Sequence, residues 1–316
     1  MKEYSEKLYE YLNRELMPFF NLRKKTYSEF EEFKKGCGRS TDIKIKGISL
    51  NCYEDKISEI FKNFEEISKK FFYPKGMLLL HGSFATYDYT EFSDIDLLLI
   101  LDVKKSDSVL IQKGIGKILK LTFSFDYTQH HGVFILDKRM FNCYPQWFLP
   151  LETFKNMKSF GGDFEISITP YEDVSFSKER FRTFIRGLQN TYESGIYIRN
   201  GYNFKHFVSR MLLIPSLFLQ SKGINVYKRE SFEIFSEMNI DRWGIFDFLS
   251  EVRNKWMRRN NPLPHFPTWY PWIYHKVNRF FSHGVYKHLP DEIILRIDKI
   301  NLGDFFKLLE REVESL

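Results

Sequence analysis

Residues 77–101, MLLLHGSFATYDYTEFSDIDLLLIL, contain an apolar run, a Gly-Ser turn, a polar-aromatic segment and a second apolar run that opens on two aspartates. The runs Met77–Leu80 and Leu97–Leu101 have the length of buried strands bounded by Gly and Ser signals. Side chains alternate across a strand, so Asp94 and Asp96 share one face and leave Ile95 and Leu97 for the other. A carboxylate beside such an apolar run needs a cation or hydrogen bonds to compensate it. Two on one face call for a divalent metal.

Between the strands, Gly82 allows close backbone approach to a ligand. Ser83 is placed to cap a short helix beginning at Phe84-Ala85-Thr86, whose free N–H groups attract phosphate. A phosphate cradle and an acid pair this close in sequence imply a nucleoside triphosphate with Mg²⁺. Gly82-Ser83, ten intervening residues and Asp94-Ile95-Asp96 resemble the signature of the polymerase-β-like nucleotidyltransferases. These enzymes attach a nucleoside monophosphate to an acceptor and release pyrophosphate. The resemblance implies two Mg²⁺ ions held by Asp94, Asp96 and a third ligand, with an NTP, expected to be ATP, as donor. Gly82 and Ser83 would hold its β- and γ-phosphates. The motif says little about the acceptor.

The third ligand would fall on a neighbouring strand, which Asp126–Leu136 (DYTQHHGVFIL) supplies in its second half. No acid lies inside Gly132–Leu136. The candidates are Asp126, whose oxygens suit Mg²⁺, and His131 at the start of the strand. His130-His131 also reads two ways, as a catalytic base or triphosphate contact, or as a strand-edge pair bonded to a loop. Adjacent strand residues cannot both face one site, and His131 is the better candidate.

Length gives room for two domains with their own cores. No run approaches the 18 or so apolar residues of a membrane span, and the N-terminus is charged and amphipathic rather than a signal peptide, so the expected location is cytoplasmic. Cys37, Cys52 and Cys143 have no metal-ligand spacing and read as free thiols. The net charge of +6 is compatible with anionic ligands but too small to demand nucleic acid.

The pattern predicts helices in 2–35, with a bend near Pro18, and in 53–72, and a strand within Thr41–Asn51. Apolar residues recur through 108–125, although Gly114 and Gly116 weaken a helix there. Prolines and glycines break up 139–178, around an extra hairpin at Phe164–Thr169. The predicted fold is α+β: a nucleotidyltransferase-type mixed sheet flanked by helices over 1–170, then an all-helical domain over 171–316 that binds acceptor or nucleotide.

That second part opens with a helix capped by Ser177. A further helix through Val208 and Phe218 ends at Gly223, and another restarts at Ser231. Template-independent members of the resembled family often set a lysine and a serine from a helical domain against the triphosphate, and Lys228 and Ser231 are the counterparts here. The alternative is a basic turn facing water. Val252–Pro290 lacks Asp and Glu and interleaves cations with Trp256, Trp269 and Trp272. It could bind nucleic acid, line an acceptor cleft or meet an acidic protein partner.

The expected function is metal-dependent transfer of a nucleoside monophosphate to a hydroxyl of a small molecule or protein. The alternatives are a transferase acting on RNA ends, for which 252–290 speaks, and an inactive nucleotide- or partner-binding module, for which the missing in-strand acid speaks.

Overall fold

The apolar run after the cis peptide Tyr73-Pro74 forms strand β2 (Gly76–His81), which pairs antiparallel with β3 (Asp96–Leu101) in the register Leu80↔Leu97 and His81↔Asp96. The computed structural model describes residues 37–102, 108–260, 280–297 and 302–314. The helices expected in 2–35, the bend at Pro18, and Trp269 and Trp272 lie outside them.

Both faces of β2 and β3 are covered, which is why their sequences run apolar without alternation. Leu78, Leu80, Leu97 and Leu99 face one core, with helices α1 (Asp55–Ile67) and, after the Gly82–Ala85 turn of helix α2, α3 (Ser108–Phe125). Leu79, Leu98 and Ile100 face the other. Strand β4 (Val133–Asp137) adds to β3 in parallel, Leu97 opposite Val133. On the other side of β2 come the short β6 (Lys158–Ser159), β1 (Thr41–Gly47) and β7 (Phe164–Ile168), completing a mixed six-stranded sheet of order β4-β3-β2-β6-β1-β7. The two-residue strands β5 (Tyr144–Pro145) and β8 (Pro170–Tyr171) pair beside it, with the short helix α4 (Leu151–Lys155) between them in sequence. Beyond Tyr171 the described regular elements are all helical.

Several expectations need correction. Helix α3 runs through Gly114, and a Cβ there would lie 2.7 Å from the Phe72 ring, so the glycine that lowers helix propensity is what lets the helix approach. The stretch Phe164–Ile168 forms no local hairpin; it reaches across to β1. Asp173, not Ser177, caps α5 (Val174–Glu193), accepting the Phe176 amide. The helix expected through Phe218 is two, α6 (Gly201–Met211) and α7 (Ile214–Ser221), divided where Pro215 enters the first turn of the second. Helix α8 (Lys228–Glu237) starts at Lys228 rather than at Ser231.

Cys37 and Cys143 are not free thiols. They form a disulfide, because the Cys37↔Tyr171 bridge and the β5–β8 pair bring together residues 106 apart in sequence. Cys52 is free and exposed.

The helical part has its own core, built on α5 to α8 together with α9 (Ile245–Lys255), α10 (Asp291–Ile297) and α11 (Leu302–Glu314). Phe92 from the β2–β3 connection is buried in it, edge-on to Trp256. A second tie is His288, which is fully buried: its Nδ1 donates to the Met257 carbonyl at 2.9 Å, so its Nε2 accepts the Tyr127 hydroxyl at 3.1 Å. Burial brings its pKa down to about 4 and keeps the imidazole neutral.

Gly114→Ala should lower stability by about 1–3 kcal/mol in urea titration, although alanine favours helix by about 1 kcal/mol, because the ring contact is overpacked. His288 binds its proton more readily when unfolded. Its contribution is therefore complete above pH 6.5 and falls as pH drops from 6.5 towards 4, by ~3 kcal/mol at the limit. Urea midpoints at pH 7 and pH 5 would display that loss.

Candidate active site

The acid pair sits where β2 ends and β3 begins. Ile95 precedes the regular ladder, yet its backbone is satisfied: the Gln129 amide accepts from its N–H at 3.0 Å and donates to its carbonyl at 2.8 Å. The same Gln129 nitrogen donates to the His131 carbonyl at 3.1 Å, so one side chain spans the mouth between β3 and β4. Ile95 is thereby fixed into the core, completely buried, which turns Asp94 and Asp96 to the other face. His131 and Lys228 both feel the field of both carboxylates.

Gly82, with φ of 70°, passes directly against Asp96: a Cβ there would lie 2.5 Å from the Asp96 Oδ2. Only glycine fits this conformation and this contact. Ser83 does not cap α2 as expected. It lies within that single turn, behind His81 as the residue before the helix. Among the described residues neither the Ser83 hydroxyl nor the Asp96 carboxylate has a hydrogen-bond partner. Asp96 is left open to a ligand, with the Lys228 ammonium as its counter-charge.

Asp94 is differently placed. Its Oδ2 accepts from His130 Nδ1 at 2.5 Å and its Oδ1 from Lys205 Nζ at 2.5 Å. Burial alone would raise its pKa, but Lys205 and His130 hold the carboxyl well below the usual range. Asp126, 1% exposed, meets the same ammonium through Oδ2 at 2.6 Å, with Arg258 Nε a further 3.7 Å away. Its Oδ1 takes the Thr128 amide and hydroxyl at 2.8 and 2.5 Å. Asp126 therefore joins the cluster as the partner of a lysine, without an oxygen left open to a metal.

His131 lies just ahead of β4, its ring against Phe134 and on the side of the sheet where Asp94 lies. Asp94, His130 and His131 offer ligand atoms that all lie within 4.8 Å of one another. Desolvation lowers the pKa of His131 and of His81, which pairs with Asp96 across β2 and β3, and leaves both rings neutral. The buried Nε2 atoms of His81 and His130 have no hydrogen-bond partner. Carboxylate oxygens with imidazole nitrogens fit a divalent cation by donor chemistry, and Asp96 adds an open carboxylate.

Lys228 comes to the site as the first residue of α8, and burial with Arg253 alongside brings its ammonium down to about 8 against the pull of Asp96. Ser231 does not reach out in the same way: buried one turn on, its hydroxyl donates to the Lys228 carbonyl at 2.6 Å. One residue of the cluster went unforeseen: Lys205 lies in a helical run with no motif around it. Only the unusual position of a lysine on the apolar face of α6 could have pointed to it. His130, set behind His131 because adjacent strand residues face opposite ways, also reaches Asp94, since both histidines precede the regular part of β4.

The described cations of Val252–Pro290 are largely spent within the chain. Arg253 donates to the Asp88 carbonyl, Lys255 pairs with Glu251 and Glu292, the Arg258 guanidinium lies over the Phe125 ring and 3.7 Å from Asp126, and Arg259 donates to the Lys287 carbonyl. No helix among the described residues is long and apolar enough to cross a membrane.

Residues 57–138 match the model of the nucleotidyltransferase domain family, a span that holds Gly82, Ser83, both acids, Asp126 and His131 but neither Lys205 nor Lys228. No curated protein and no solved structure matches the chain. The glycine turn pressed on Asp96, the acid pair at the start of β3 and the matched span agree, and residues 57–138 are consistent with a nucleotidyltransferase domain of the polymerase-β-like superfamily.

Proposed function

We propose that this chain is a metal-dependent nucleotidyltransferase that moves a nucleoside monophosphate from an NTP, with ATP the expected donor, to a hydroxyl of a small molecule or protein. The observation that carries this reading is the open Asp96 carboxylate, set against the Gly82 turn and close enough to Lys228 and His131 to act on the charge of both. Regions 1–170 and 171–316 are then a nucleotidyltransferase part and a helical part that closes over it and receives the acceptor.

A divalent ion at Asp94 and Asp96, Mg²⁺ by resemblance, would acidify the acceptor hydroxyl and neutralise the departing pyrophosphate. The chain's own residues do the rest. Lys228 pairs with triphosphate oxygens, while Gly82 and the Ser83 hydroxyl approach the β- and γ-phosphates. The acceptor oxygen forms its bond to the α-phosphorus as the bond to the pyrophosphate oxygen breaks, and the hydroxyl proton passes to the neutral His131 imidazole. Holding these groups in line supplies most of the rate gain in phosphoryl chemistry.

The engaged state of Arg253, Lys255, Arg258 and Arg259 weighs against RNA ends as acceptor. An inactive binding module has one observation in its favour, the lysine already seated on Asp94. An NTP donor implies a cytoplasmic reaction, where Cys37 and Cys143 would meet reducing thiols.

Asp96→Asn should reduce transfer to background while leaving the melting temperature within a few degrees, read as label moved from radioactive ATP into cell-extract acceptors and as pyrophosphate released. Lys228→Met should weaken NTP binding about tenfold in isothermal titration, the equivalent of ~1.4 kcal/mol. Binding that survives in the native chain without any turnover in the extract would instead favour the inactive module.

A further inference from the structure

Lys205 projects from α6 in the helical part, with Phe204, Phe207 and Val208 of its own helix in the apolar core. Its side chain is 0% exposed, and its ammonium lies 2.5 Å from Asp94 and 2.6 Å from Asp126. A cation bridging the first acid and a third carboxylate from a neighbouring segment is what the two-ion arrangement would require of a metal. Here that position already holds a positive charge.

We propose that the Lys205 ammonium stands in the place of one of the two divalent ions, so that the site works with a single exchangeable ion held through the open Asp96 carboxylate. The inference rests on the metal-dependent reading above and narrows it.

Three observations support a fixed lysine rather than a passing one. Both Asp126 oxygens are consumed, Oδ1 by Thr128 and Oδ2 by Lys205, so a metal entering there would have to displace hydrogen bonds as well as a charge. The ammonium has no aqueous alternative, because the Phe92 ring, 5.6 Å away, and the helical core surround it. The local charge is also balanced: Asp94 and Asp126 face Lys205 and Arg258, and a second divalent ion would add two charges to a site where Lys228 already stands beside Asp96. Burial tends to lower the Lys205 pKa, but Asp126 and Asp94 more than offset it and keep the ammonium charged.

The test is to count ions on the full-length chain with Mn²⁺ alone, by electron paramagnetic resonance of the free ion and by isothermal titration. The wild-type chain should bind one Mn²⁺, Lys205→Arg one, and Lys205→Ala two, because removing the ammonium leaves Asp94 and Asp126 as an empty acidic pair. Two ions on the wild-type chain, or one on Lys205→Ala, would overturn the inference and leave the metal-dependent reading standing. No ion on the wild-type chain would remove both. If Lys205→Ala does not fold in chelator, Mn²⁺ should restore its cooperative melting, and failure to do so counts against a bridging cation at that position.

Discussion

A lysine sealed away from water between two aspartates governs how the two halves of this protein meet. Taking such charges out of solvent is tolerated only when all of them come together, and removing one partner of a buried pair costs about 3–5 kcal/mol. Lys205 arrives on α6, Asp94 just ahead of β3 and Asp126 at the end of α3, so the ion triad can form only when the helical part is seated on the sheet. Phe92 and the Tyr127–His288 bond reinforce the same seam with apolar and polar contacts. Assembly of the site and docking of the two parts are thus one event.

The divided character of the acid pair follows. Two aspartates that alternation puts on one face of a strand have unequal surroundings: one is saturated by a lysine and a histidine, while the other is open beside a glycine turn. Burial favours the uncharged form of His81 and His131, while the helical part brings two lysines to the pair, one buried in the seam and one at the first turn of α8.

Much of this was legible in the chain. The apolar runs around Gly82-Ser83 and Asp94-Ile95-Asp96 gave the strands, their burial and the shared face of the acids, because these are local consequences of period; the glycine, read as room for a ligand, also makes room for Asp96. Lys228 could be named because it lies next to a chain reversal marked by Gly223. What the sequence concealed are contacts between distant segments. Lys205 meets partners 111 and 79 residues away, and Cys37 meets Cys143 through a bridge made by a third segment. Asp126 was recognised as part of the cluster but given a metal, because ligand chemistry alone cannot reveal that a helix far along the chain supplies a cation first. The glycines of α3 misled in the opposite direction, since propensity does not register a phenylalanine ring waiting at the surface of a neighbouring element.

Where β3 and β4 enter the sheet, their separation is set by Gln129 rather than by a backbone ladder. Regular strands are kept about 4.8 Å apart by their own hydrogen bonds. Here an amide acts as a spacer whose reach fixes the gauge of the opening between Asp94 and the two histidines. The spacing can therefore be retuned by a change in one side chain's length, with the sheet beneath it left intact.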